Sequence, residues 1–179
     1  MASLVLTGDT SGQVTIAAPA VAGTNTATLP AATGTVMVSG NMPAFSAYAG
    51  TTTSVTSNTF TKVAFNTEVF DTANCFDSTT NYRFTPTVGG YYQVNVGLQP
   101  TAAFSLFAVL YKNGSIYQYG IPANPLNVGS IYGGGGLNTL VFLNGSTDYI
   151  EIYAYCGNNI TITTGAEKTW FNGLLVRLT

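Results

Sequence analysis

Residues 82–98 read YRFTPTVGGYYQVNVGL. A short apolar piece runs into Gly89-Gly90, and from there the residues alternate. Tyr92, Val94, Val96 and Leu98 hold one parity, and Tyr91, Gln93 and Asn95 hold the other. Successive side chains of a β-strand point to opposite faces, so the pattern is a strand with one buried face. Gly90 permits a tight start to that strand, and Tyr92, Val94 and Val96 are expected to fill a core.

Outward from this strand the same signals recur. No window of twelve residues keeps a 3.6-residue period, because Gly, Thr, Ser and Pro interrupt the chain too often. Strands are expected at 44–49, 59–66, 82–85, 91–98, 104–111, 115–119, 137–143, 148–155, 160–163 and 169–178. This spacing specifies an all-β sandwich, jelly roll or barrel. In 148–155 the core parity is Ile150, Ile152 and Ala154, with Cys156 following. Asn113-Gly114 and Asn144-Gly145 each sit between alternating segments and are read as hairpin turns. Asn113, Asn144 and Asn159 also have N-glycosylation spacing, read here as turn chemistry.

Charged residues make up 7 % of the 179 positions, with none between Asp9 and Lys62. Ordinary domains carry about 25 %. Neither a basic patch nor an acidic tail exists to bind nucleic acid electrostatically. No apolar run approaches the ~20 residues that span a bilayer. The first residues have neither a basic region nor a sustained apolar one, so synthesis and assembly in a cytoplasm are expected. Cys75 and Cys156 lie far apart and are expected as two buried thiols.

Composition divides the chain near Gly40. Residues 1–40 contain small side chains, short strands expected at 14–18, 26–29 and 35–38, and no aromatic residue; all 22 Tyr, Phe and Trp lie beyond Pro43. Such a segment cannot build its own core and must borrow one. In the remainder, 104–111 and 140–143 are apolar on both parities. An antiparallel sheet normally wets its second face, so a second subunit is expected to cover Leu140, Val141, Phe142 and Leu143 in a homo-oligomer. The alternative is cover by a loop of the same chain.

Residues 43–179 resemble the C1q-like domain of the C1q and tumour-necrosis-factor superfamily. Phe65-x5-Asp71-x4-Phe76 and Phe84-x5-Gly90-x-Tyr92 keep the family spacing, and PAFSAY (43–48), LYKNG (110–114) and WFNGLLVRL (170–178) echo other landmarks. The gap from Phe76 to Phe84 is one residue longer than the family's, and Val94 and Val96 replace its aromatics. The resemblance implies a jelly-roll sandwich assembling as a homotrimer. Residues 3–36, with SLVLTGDTSGQVT, APA and TLPAATGTV, are similar to a module near the N-termini of bacteriophage tail-fibre and related virion proteins. That likeness implies that 1–40 attach to other virion proteins, with 43–179 as an outward-facing domain.

Catalytic chemistry has little material. With no histidine, the usual base and commonest metal ligand are missing. Glu68/Asp71 and Asp148/Glu151 are carboxylate pairs of the kind used in glycoside hydrolysis, but without a supporting motif they are read as surface residues. Asp71 and Asp77 could offer oxygen to calcium, yet no dense acidic loop exists, so no catalytic residue, metal or cofactor is assigned. Gly133–Gly136 are read as a loop. The remaining resource is tyrosine, whose flat ring beside Asn and Gln suits a neutral sugar; Tyr117, Gln118, Tyr119, Asn124 and Tyr132 form the candidate receptor site. The expected function is a non-enzymatic phage virion protein, a trimeric fibre or surface knob binding a host glycan or protein. The alternative is a head-decoration or cement protein that stabilises the capsid without a receptor.

Overall fold

The computed structural model describes residues 3–28, 31–122, 127–128 and 131–179, with the backbone alone at 127–128 and 131–132. The chain separates into two compact units, Met1–Gly34 and Thr35–Thr179.

In the first unit β1 (Ser3–Thr7) and β2 (Gln13–Ala17) form an antiparallel hairpin. Leu4 lies opposite Ile16 and Leu6 opposite Val14, and the Gly8 amide donates to the Gly12 carbonyl at 3.0 Å across the turn. Strand β2 was expected and β1 was not. The expected strands at 26–29 and 35–38 do not form; residue 29 lies outside the described residues. At 35–38, Met37 packs on the core of the second unit while Val36 and Val38 stay exposed, and no neighbouring strand holds the segment.

The second unit begins with a 3₁₀ turn at Ser39–Asn41, the only helical turn among the described residues. The strands are β3 (Ala44–Tyr48), β4 (Thr53–Val55), β5 (Thr61–Lys62), β6 (Thr67–Asp71), β7 (Phe76–Asp77) and β8 (Arg83–Phe84). Next come β9 (Gly90–Leu98), β10 (Leu106–Lys112), β11 (Ser115–Tyr119), β12 (Ile121–Pro122), β13 (Asn127–Val128) and β14 (Ile131–Tyr132). The chain closes with β15 (Gly135–Leu143), β16 (Ile150–Cys156), β17 (Ile160–Ile162) and β18 (Trp170–Leu178). One six-stranded sheet has the order β12-β15-β9-β18-β3-β6; the other runs β11-β10-β16-β8-β7, with β5 also pairing to β16. Two small ladders, β17-β4 and β13-β14, complete the set.

The opening stretch supplies the centre. Strand β9 pairs with β15 from Gly90↔Leu143 to Leu98↔Gly135 and with β18 from Gly97↔Trp170 to Gly90↔Leu178. Gly90 lies so close to β18 that a Cβ there would overlap the Arg177 carbonyl. Tyr92, Val94, Val96 and Leu98 are all buried, as the alternation requires. The Tyr92 hydroxyl donates to the Val88 carbonyl at 2.7 Å, which satisfies a phenol that burial pushes well above its ordinary pKa. Phe45 binds the two sheets, stacked on Phe84 and Phe76 at 4.4 and 4.8 Å and edge-on to Phe171 at 4.8 Å.

The spaced residues between Phe65 and Tyr92 have identifiable physical roles. Asp71 accepts from the Ala73 and Phe76 amides at 3.2 and 2.7 Å, closing the bend that sends Phe76 inward. Between Phe76 and Phe84 the chain makes the β7–β8 turn. There Asp77 accepts from the amides of Thr79, Thr80 and Asn81 at 3.0, 2.9 and 3.0 Å. Those donors, the Thr80 amide foremost, hold the Asp77 carboxyl far below the usual carboxylate range.

The two Asn-Gly turns differ. Asn113 (φ 53°) and Gly114 (φ 77°) both adopt positive φ, giving the expected β10–β11 hairpin. Asn144-Gly145 makes no hairpin, because β15 and β16 belong to different sheets. Asn144 Oδ1 accepts from the amides of Ser146, Thr147 and Asp148 and shapes the crossing.

Parity also corrects part of the expected subunit contact. Val141 and Leu143 are 1 % and 0 % exposed inside the single-chain core, and only Leu140 and Phe142 face outward. Leu143→Ala should therefore lower the unfolding free energy by about 2–5 kcal/mol. Denaturant titration should find this loss independent of protein concentration, because the cavity lies within one chain.

Candidate assembly and recognition surfaces

The outer face of the first sheet is built in rows by strand register. Leu140, Gln93, Leu174 and Ala44 form one row; Asn138, Asn95, Asn172, Ser46 and Phe70 form the next. Phe142 and Tyr91 lie at one end, their rings 5.6 Å apart. Trp170 and Tyr48 lie at the other, where Gly97 leaves room for the indole: a Cβ there would stand 2.8 Å from the ring. No charged residue occupies an outward position of β15, β9 or β3. Phe70, Tyr91, Leu140, Leu174 and Val176 are each between 45 and 52 % exposed. The Asn95 amide donates to Asn172 Oδ1 at 3.0 Å, and Gln93 Nε2 donates to Asn95 Oδ1 at 3.2 Å. Charge reaches this face only at its margins, where exposed Arg177 lies beside Tyr91, the Lys112 ammonium lies 5.5 Å from the Phe142 ring and Glu68 lies on the β6 edge; the face between them suits contact with another protein surface. Leu174 and Val176 carry the same signal that singled out 140–143, apolar residues on both parities of one strand.

The second sheet presents a different outer face. Val109 is fully buried there, with Tyr119 and Tyr153 as its in-register neighbours. Phe60 packs on Tyr155 at 4.7 Å and near Tyr111 and Tyr119, while Tyr111 and Tyr153 lie 4.1 Å apart. The apolar second face of 104–111 is thus covered by side chains of the same chain rather than awaiting a subunit. Phe104 itself lies outside β10 and is exposed.

Charge in this unit is concentrated in ion pairs. Glu151, 5 % exposed, pairs with Lys62 beside the Tyr153 hydroxyl. Asp148, 9 % exposed, takes Lys112 Nζ at 2.9 Å and Asn113 Nδ2 at 2.8 Å. The Asn113 bond, with Lys112 next, holds the Asp148 carboxyl below its ordinary pKa. These two carboxylates, expected on the surface, are instead buried with partners. Their partners explain the difference, since a buried charge is tolerated when paired and hydrogen-bonded. Asp71 closes a bend and Glu68 is exposed. No group of three or more His, Cys, Asp or Glu gathers among the described residues. Cys75 and Cys156 are buried and unbridged.

The residues read as a receptor site are partly brought together. The Tyr117 hydroxyl donates to the Leu140 carbonyl at 3.3 Å, and Gln118 Oε1 accepts from Thr139 Oγ1 at 2.6 Å, so both tie β11 to β15 across the open side of the roll. Tyr119 is 51 % exposed. With Gln118, Ile121 and Asn138 it borders a cleft of about 260 Å³. Asn124 lies outside the described residues, and Tyr132 is described in β14 by its backbone alone. In the first unit, Leu4, Leu6, Val14 and Ile16 share one face of the hairpin at 51–63 % exposure. A lone two-stranded hairpin is marginal in water.

The chain matches no protein-family description and no curated protein. Among solved structures, murine APRIL superposes with a TM-score of 0.57 at 13 % identity, over 75 % of this chain and 99 % of its own. The Eiger TNF of S. frugiperda superposes at 0.54 and 10 % identity, over 77 % and 93 %. These likenesses establish a tumour-necrosis-factor-like jelly roll, as the sequence resemblance implied, and at this identity the fold alone. The vertex protein P5 of PRD1 aligns at 0.49 and 15 % identity, over 75 % and 97 %, too loosely to bear on function.

The Asp148 site gives a pH prediction. Its folded pKa is depressed, so the stability it contributes is complete above the unfolded aspartate value of about 3.9 and is lost as pH falls toward the folded value. Asp148→Asn should cost on the order of 2 kcal/mol at neutral pH. Unfolding curves taken down the acid range should show the variant and the parent converge.

Proposed function

We propose that this chain is a non-enzymatic structural protein of a bacteriophage particle. Its first unit joins other virion proteins, and its jelly-roll unit assembles as a homotrimer that faces outward and binds a host-surface glycan or protein. The carrying observation is that each unit leaves an apolar face uncovered: the Leu4–Leu6–Val14–Ile16 face of the hairpin and the Leu140–Leu174–Phe142 face of the sheet. Two separate faces accommodate two kinds of neighbour, virion protein for one and identical subunits for the other. The likeness of residues 3–36 to phage fibre modules supports the virion setting. The engagement of Asp148 and Glu151 in ion pairs supports a role other than hydrolysis.

For recognition, the cleft beside Tyr119 and Gln118 is the favoured place. It offers a half-exposed ring and neutral amides, a chemistry matched to neutral sugars. Labelled full-length protein should bind host cells and compete with particle adsorption. Tyr119→Ala should weaken that binding about tenfold or more, as loss of a central aromatic contact does. Absence of cell binding, combined with fragile particles when the protein is deleted, would establish the cement role instead.

A further inference from the structure

Gly135 and Gly136, read from the sequence as part of a loop, instead begin strand β15. Several glycines gather at this end of the first sheet, and most have a reason inside the fold. A Cβ at Gly120, Gly134 or Gly135 would overlap a carbonyl oxygen of a neighbouring segment. Gly136 is different. A Cβ there would meet only the Val96 carbonyl oxygen, at 3.9 Å, and the backbone does not adopt positive φ. Glycine costs backbone entropy in a strand, yet neither packing nor conformation demands it at 136. Its effect is to leave an open floor on the outer face, between Ile121 of β12 and Gly97 of β9.

Two clefts meet on that floor. Gly136 and Asn138 border both the cleft of about 260 Å³ beside Tyr119 and a second of about 400 Å³ toward β9 and β18. Trp170 bounds the second, its indole lying over Gly97, with Gln99 and Lys168 at the rim. The two form one groove that crosses four strands. Three strand spacings separate Ile121 from Trp170, roughly 14 Å, which is room for a short chain of sugar rings and more than a single ring needs.

The lining selects the ligand. A tyrosine ring stands at one end, an indole at the other, and amides lie between them. Aromatic rings stack on the apolar faces of sugars, and amides satisfy their hydroxyls. Lys168 Nζ lies 3.5 Å from Glu167, so that pair brings no net charge to the rim. Along β15, Gly136 is six residues from Phe142, roughly 20 Å. The groove is therefore separate from the end of the sheet proposed above for subunit contact.

We infer that this groove binds a linear, neutral oligosaccharide, with Tyr119 and Trp170 as its two ring platforms and Gly136 kept bare so that the chain can cross β15. This rests on the glycan reading above and deepens it, adding Trp170 and Gly136 to the site and chain length to its specificity.

Full-length protein titrated with sugars tests the inference, read by calorimetry and by the emission of Trp170, the only tryptophan. The probes are neutral glucose-, galactose- and mannose-based series from monosaccharide to hexasaccharide, with uronic-acid counterparts. Affinity should rise about tenfold or more with chain length, as a second aromatic contact comes into play, and the emission should shift. Trp170→Ala should remove that gain in calorimetry and leave weak monosaccharide binding. Gly136→Val should also remove it while keeping or raising the parent's thermal midpoint, since the position has room for a side chain; it serves should Trp170→Ala fail to fold. Tyr119→Ala should weaken binding at every length. Affinity that stays flat with length, or a Gly136→Val protein that binds as the parent does, would overturn the groove and leave a single-ring site at Tyr119. Preference for the acidic series would overturn the neutral ligand. No binding in either series would remove the glycan reading beneath it.

Discussion

The structure depends on the double pairing of β9. Both edges of this strand are hydrogen-bonded along nearly their whole length, to β15 on one side and β18 on the other. A one-residue slip would turn Tyr92, Val94 and Val96 out to water and bring Tyr91, Gln93 and Asn95 into the core. Three strands would be violated at once, since Phe171 and Leu175 of β18 and Val141 and Leu143 of β15 share the same interior. The parity of one strand thus decides which residues are core and which form the outer face.

The two faces of the roll then take different roles. On the first sheet the outward residues, aliphatic, aromatic and amide-bearing, are largely open. On the second, Tyr111, Tyr119, Tyr153, Tyr155 and Phe60 pack over Val109 and cover it. Lys62 and Lys112 are both tied to buried carboxylates. Two of the few lysines are therefore committed to pairs at the rim of the fold. Solubility and contact are left to hydroxyl, amide and ring surfaces.

Local pattern was legible wherever alternation was clean: β9, β11, β16 and β18 lie close to where the sequence placed them, with Ile150, Ile152 and Ala154 buried as read. The misses have separate physical causes. Strand β6 carries Glu68 and Asp71 among Thr67, Val69 and Phe70, an edge sequence with no clear alternation and a bulge opposite Ser46–Ala47. Asn144-Gly145 has the chemistry of a hairpin turn, but which sheet the next strand joins depends on the whole fold. The burial of Asp148 and Glu151 was hidden because their partners, Lys112 and Lys62, are 36 and 89 residues away in sequence. The face bearing Leu140 was visible as a doubly apolar strand. The rest of that outer face was not, since it needs Ala44, Phe70 and Leu174 from three further strands.

Trp170 gives this arrangement a built-in reporter. It is the only tryptophan in the chain, and it lies half-buried over Gly97 on the open face of the first sheet rather than in the core. Its indole therefore shares a surface with the residues argued to meet a neighbour, and indole emission responds to how much water surrounds the ring. The intrinsic fluorescence of the native protein is consequently a property of this outer face and not of the core. Anything that comes to cover that face can be followed by colour alone, with no dye attached and no residue changed.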